Sequence, residues 1–205
     1  SHSDLRIPSR SVKTAKEKPS HRRKVRGALP PAHVSVDAAG AVWVVVPDIV
    51  AKNETMRRAG KGQHLSAAVT RYRSSVTRGA AAIDLHIYNE IIFPIRSGRW
   101  RLDVLGVWPT RYNLAGLNIF DDGPDIPVGD VDAGISQAQD ALQKAGIRDD
   151  DKRIDPAACA WKMYRKGVRA TVMRLAPSAA PPATLAEMVA MLDAHLPTTA
   201  EAPAP

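Results

Sequence analysis

The run Ala41–Pro47, AVWVVVP, constrains this chain more than any other stretch. Valine and tryptophan favour extended backbone, no polar residue interrupts the series, and proline ends it. It reads as a buried strand, and a buried strand needs a sheet around it. Trp100–Trp108 (WRLDVLGVW) alternates well enough for a second strand, stopped by Pro109. Ala157–Tyr164 and Val168–Leu175 read as two more, joined around Arg165-Lys166-Gly167, where glycine permits a positive φ; the short connection predicts a hairpin.

Helical periods fall between these strands. Ser66 is placed as an N-cap, and beyond it Val69, Tyr72, Val76, Ala80, Ile83 and Ile87 recur at steps of three and four, predicting a helix over about 67–90 with Gly79 as its weak point. A polar loop, Asp48 to His64, precedes it. Residues 109–128, rich in Gly, Pro, Asn and Asp, read as a long loop, a functional segment or an insertion. Ile135, Ala138, Leu142 and Ala145 then mark a helix over 133–145, with Asp132 as its N-cap and Gly146 as its C′ stop. Thr184 and Glu187 form a capping box before Leu185, Met188, Val189, Leu192 and Leu196, a helix expected to dock on the body. The expected class is α+β, a small mixed α/β domain whose sheet is packed by helices.

A chain of 205 residues with 44% hydrophobic content suits one domain with appendages. Nine of its 29 Lys and Arg, but two of its 21 Asp and Glu, lie in residues 1–31, so the net charge of +8 sits almost wholly in the N-terminal segment. The organisation expected is a disordered basic arm over 1–38, a folded domain over 39–177, and an Ala/Pro-rich linker with an amphipathic helix over 178–205. The basic balance points to a polyanionic partner. A single cysteine, Cys159, excludes an intramolecular disulfide. No apolar run reaches the ~20 residues needed to cross a bilayer, and the first residues lack a signal-peptide core, so a cytoplasmic location is expected. His64, His86 and His195 show no ligand spacing, and there is neither a glycine-rich phosphate loop nor a G-x-S-x-G elbow.

The segment Gly129–Ile154, GDVDAGISQAQDALQKAGIRDDDKRI, concentrates carboxylates around one helix. Asp130 and Asp132 are two apart and share a face in extended chain. The helix then carries the chain ~20 Å away, so a returning segment is needed to bring Asp149, Asp150 and Asp151 back beside them. Carboxylates so gathered raise one another's pKa unless a cation neutralises them, and Mg²⁺, which prefers oxygen ligands, is the natural one. A purely local reading also stands: Asp132 caps the helix, Asp130 favours its dipole, and Asp149 to Asp151 form a solvated turn. An EF-hand fits poorly, because Gly134 occupies the fifth loop position, where an oxygen ligand belongs.

Asp130-Val131-Asp132 opening the helix, Asp140-Ala141-Leu142 inside it, Ala145-Gly146 near its end and the Asp150-Asp151 doublet together resemble the RusA-type Holliday junction resolvases. Lys162-Met163 and Lys166-Gly167 look like that family's hairpin, and Val46-Pro47, Asn53, the basic loop and Ser66 to Tyr72 like its opening strand, loop and helix. The resemblance spans about residues 41–175. It implies a homodimer of mixed α/β subunits in which Asp130, Asp132 and Asp151 are catalytic and bind Mg²⁺, with Asp150 a supporting ligand and Mn²⁺ able to substitute. The implied reaction is paired nicking of a four-way DNA junction in a bacterial or phage-infected cell. Asn53, Arg57, Arg58, Lys61, Arg71, Arg73 and Lys162 are the expected DNA contacts. Two positions depart from the pattern: the family's lysine falls at Ser136 and its asparagine at Ala133. Lys144, Lys152, Lys162 or a loop arginine are the candidates for the missing cation. The departure keeps open a junction-binding protein impaired in cleavage, beside a nuclease for other branched or flap nucleic acids.

Overall fold

The computed structural model describes residues 27–50, 56–59, 62–92, 99–109, 131–148 and 160–196. Strands β1 (His33–Val36), β2 (Val42–Val46), β7 (Ala170–Pro177), β5 (Trp100–Trp108) and β6 (Ala160–Tyr164) lie side by side in that order in one open sheet. β5 runs parallel to β6, and every other pairing in the sheet is antiparallel. The helices are α1 (Ala67–Ala81), α2 (Leu85–Ile87), α3 (Val131–Lys144) and α4 (Leu185–His195). The fold is thus mixed α+β, an open five-stranded sheet packed by helices.

Both sheet faces are covered, which explains the unbroken apolar run of β2. Val42, Val44, Val46, Leu102, Val104, Met173 and Leu175 pack beneath α1 and α3. Trp43, Val45, Leu105, Val107, Ala170 and Val172 pack beneath α4 through its Met188 and Leu192. A strand buried on both faces has no polar alternation to display. β5, between β7 and β6, is buried along nearly its whole length.

β6 and β7 do not form the expected hairpin. β5 lies between them: Leu105 pairs with Trp161 on one side and with Val172 on the other. Leaving β6, the Arg165 N–H donates to the Trp108 carbonyl at 3.0 Å, Val168 N–H closes a turn on the Arg165 carbonyl, and Gly167 takes φ 74°. The turn chemistry is as the sequence predicts, but the segment arches over the end of β5 instead of reversing beside it. Strand pairing follows burial: an apolar β5 needs a neighbour on each edge, and Arg165 to Arg169 is long enough to span the ~10 Å across it.

Three further expectations are revised. The helix over 67–90 ends at Ala81: Asp84 adopts extended backbone (φ −55°, ψ 138°), and its carboxylate accepts from His86 N–H at 2.8 Å, starting a new short turn that continues as a π-helical segment, Tyr88–Ile92. A side chain that satisfies a backbone donor locally competes with the helix for it. The polar loop from Asp48 to His64 contains a two-stranded antiparallel ribbon, β3 (Met56–Ala59) and β4 (Gly62–Leu65). The expected disordered arm over 1–38 includes β1 and the segment leading to it. Asp37 makes the β1–β2 turn, accepting from the N–H groups of Ala39 and Ala41 at 2.9 Å each and from the Trp43 indole at 2.8 Å.

Gly79, read from sequence as a weak point, is a contact. A Cβ there would lie 2.2 Å from the Ala32 carbonyl oxygen, so the absence of a side chain lets the strand leading into β1 cross α1 at close range. Ala32 N–H donates to the Ser75 carbonyl at 2.9 Å beside that crossing.

Candidate metal and nucleic-acid site

The helix at the centre of the acidic segment forms where the sequence places it, starting two residues earlier. α3 opens at Val131, so Asp132 lies within its first turn instead of capping it. Ala138, Ala141 and Leu142 are buried against α1 and β5, with Ile135 and Ala145 packed at the margin. The helix ends in a Schellman motif: Gly146 N–H bonds the Gln143 carbonyl at 3.0 Å, Ile147 N–H bonds the Leu142 carbonyl at 3.1 Å, and Gly146 takes φ 75°. Ile147 and Leu142 then meet in the core.

Asp140 has a structural partner. Its carboxylate receives the Arg73 guanidinium from α1, tying the two helices together. Three motif positions are thereby accounted for by packing: Asp140 joins the helices, Ala141-Leu142 fills the core, and Ala145-Gly146 closes the helix.

Of the carboxylates implied to bind metal, Asp132 alone falls among the described residues; Asp130, Asp150 and Asp151 lie outside them, as does Asp149. Among the described residues no group of three or more His, Cys, Asp or Glu is placed to hold a metal ion. The donor chemistry of the four aspartates, hard carboxylate oxygens throughout, suits Mg²⁺.

The expected DNA contacts divide. Asn53 and Lys61 lie outside the described residues, while Arg57 and Arg58 belong to β3, paired with His64 and Gln63. Arg71 donates to the Gly27 carbonyl at 3.0 Å, and Arg73 is paired with Asp140. Arg78, on the same helix, donates to the Leu29 carbonyl. These arginines clamp the segment before β1 and α3 onto α1.

Lys162 belongs to a different element. It pairs in register with Gly106, which puts it on the sheet face that carries α1 and α3, and it is exposed on edge strand β6. Ser136, at the position of the family lysine, is exposed on α3. Lys144, another candidate for that charge, sits in the last turn of α3, a full helix length from Asp132.

Sequence reasoning missed a buried polar cluster at the end of β2. Asp48, wholly buried, accepts from Arg169 Nε at 3.0 Å and from Ile49 N–H at 2.9 Å, while its carbonyl accepts from the Thr171 hydroxyl at 2.9 Å. Tyr72 of α1 is buried beside this cluster; burial pushes its phenol well above the usual range, and the Asp48 charge acts the same way. The cluster locks the β6–β7 arch to β2. The one available sequence signal was the step from an apolar run into Pro47-Asp48.

No helix among the described residues is long and apolar enough to cross a membrane. No protein-family model and no curated protein matches the chain.

Proposed function

We propose that the chain is a Mg²⁺-dependent, structure-selective endonuclease that nicks four-way or otherwise branched DNA, acting as a homodimer in the cytoplasm of a bacterial or phage-infected cell. Asp130, Asp132 and Asp151 would hold the metal, with Asp150 beside them. The observation that carries the reading is the setting of α3. It opens one residue after Asp130, seats its Ala141-Leu142 pair in the core and closes on Gly146, so its apolar and glycine positions are accounted for by packing. Asp130 before it and Asp150 and Asp151 after it are the residues to which the resemblance gives the metal.

Bound Mg²⁺ would polarise a phosphodiester and lower the pKa of an attacking water. The chain's own contribution would be Asp132 in the first turn of α3 and Lys162 on the sheet face that carries this helix, toward the charge that grows on phosphate. A two-fold dimer suits a junction because it presents two equivalent sites to two strands.

A synthetic four-way junction and a linear duplex, each incubated with Mg²⁺ and either the wild type or Asp132→Asn, test the proposal. Paired nicks in the junction from the wild type alone are expected. An intact junction with folded wild type, or equal cutting by the variant, overturns it. Ser136, exposed and uncharged where the resemblance expects lysine, favours one second reading, a protein that binds junctions without cutting them. That reading predicts a gel shift without nicks.

A further inference from the structure

His33 of β1 and His195 in the last turn of α4 stack with ring centroids 3.5 Å apart and planes 11° from parallel. They come from opposite ends of the described chain. His33 pairs with Val45, and Val45, Val172 and Leu105 continue the same row across the sheet face beneath α4. The imidazole pair therefore closes the border of that apolar layer where the helix ends.

We propose that this pair is a pH-sensitive latch: it holds the last turn of α4 on the sheet while at least one ring is neutral and releases it when both are protonated. Two cations cannot share a 3.5 Å stack in a partly buried setting. His195 lies in the last turn of α4, beside the helix's C-terminal carbonyls. A proton on His33 meets resistance, because its Nε2 is buried and finds no hydrogen-bond acceptor among the described residues. Burial, and then the charge of His195, hold the His33 imidazole below its ordinary range.

The neighbouring charges do not relieve the pair. β2 contributes no titratable side chain, and β6 turns Trp161 and Met163 toward this face. On β7 and β5, Arg174 and Asp103 are paired with each other at 3.2 Å. Asp37 accepts from the Trp43 indole, Glu187 accepts from Thr184, and Asp193 is paired with Arg165 at 2.5 Å. Each of these carboxylates is engaged elsewhere, so among the described residues a second imidazolium has no counter-ion waiting.

The sign follows from linkage. The docked state binds the second proton less readily than the released state, so docking is complete above about pH 6.5 and weakens as pH falls through the His33 value. The Arg165–Asp193 pair and the buried Met188 and Leu192 hold the rest of the helix in place.

Amide hydrogen exchange of the full chain, read by NMR at about pH 7.5 and about pH 5 with correction for intrinsic rates, tests the latch. Protection at residues 194–196 should fall about tenfold or more at the lower pH, while Met188 and β5 keep theirs. His33→Phe, which retains a stacking ring without a charge, should remove the pH dependence, and His195→Phe should do the same if the first variant folds poorly. Equal wild-type protection at both pH values overturns the proposal. So does an unchanged pH response in whichever phenylalanine variant folds.

Discussion

Arg73 on α1 and Asp140 on α3 form an ion pair that joins the two helices covering one sheet face. Both residues belonged to the functional reading of the sequence, one as a phosphate contact and the other as part of an acidic motif. Their meeting leaves the helix that carries Asp132 braced against its neighbour.

The pair is half in solvent, so it contributes modestly. Arg73→Ala or Asp140→Asn should lower stability by about 1 kcal/mol or less, with a similar coupling energy in a double-mutant cycle read by urea unfolding. On DNA, Arg73→Ala should leave the salt dependence of binding unchanged, because Asp140 already matches its charge. A slope shallower by about one unit would return Arg73 to the set of phosphate contacts.

A second ion pair is buried. Asp103 on β5 is fully enclosed and accepts from Arg174 Nη1 at 3.2 Å and from Ala183 N–H at 3.0 Å, while Arg174 also donates to the Pro181 carbonyl at 3.0 Å. This network pins the linker into α4. Asp103→Ala leaves a guanidinium inside the protein without its counter-charge, and the expected loss is about 3–5 kcal/mol in equilibrium unfolding. Replacing both partners, as Asp103→Leu with Arg174→Met, should recover a large part of it. A double variant as unstable as the single one would show that the linker contacts matter more than the stranded charge.

Gly79 sets two magnitudes against each other. Alanine improves helix propensity by about 1 kcal/mol over glycine in a helix interior. A methyl group at that site would sit 2.2 Å from the Ala32 carbonyl oxygen, a backbone atom held by its own hydrogen-bonded neighbours. Overpacking of that kind costs about 1–3 kcal/mol, so Gly79→Ala should lower the thermal midpoint even though it favours the helix. A rise would mean that the Ala32 segment can shift away without loss.

What the sequence disclosed was what neighbouring residues decide among themselves. The N-cap at Ser66, the capping box at Thr184 and Glu187, the stop at Gly146 and the span of β5 are all local chemistry, and all are present. The insertion of β5 between β6 and β7 is not local. The Gly167 turn serves a hairpin or an arch equally, and only the need to bury both faces of β5 chooses between them. β1 was hidden because HVSV is short and follows a basic segment, although Asp37 and Gly40 already carried a turn signal. At the candidate site, a helix starting beside Asp130 and Asp132 was readable from spacing. The acceptors of Arg71 and Arg73 were not, because a basic residue's position on a helix face does not say which backbone or carboxylate lies opposite.

Asp37 gives the β1–β2 turn a dependence on acid. Burial raises its pKa, but hydrogen bonds from the Trp43 indole and from the Ala41 and Ala39 N–H groups outweigh that and hold it below the usual carboxylate value. Folded protein thus binds this proton less readily than unfolded chain. The stabilisation is complete above about pH 4 and is lost as pH falls through the folded value. Asp37→Asn should cost about 1 kcal/mol near neutral pH and flatten the loss of stability below pH ~4, measured by urea midpoints across that range. An equal acid slope in the variant would assign the slope to other carboxylates.

Lys162 is the residue on which the proposed cleavage depends most testably. It is exposed on β6, on the sheet face carrying α3, while Ser136 on that helix offers a hydroxyl where a cation would be expected. A positive charge that meets phosphate mainly in the transition state acts on turnover more than on binding. Lys162→Met should therefore slow nicking of a saturating four-way junction by about 10²-fold while leaving junction affinity within about threefold. Ser136→Lys in that background should restore much of the rate by supplying the charge from α3. If Lys162→Met weakens affinity and turnover is unchanged, Lys162 is a positioning contact for the DNA backbone, and the transition-state cation has to come from elsewhere.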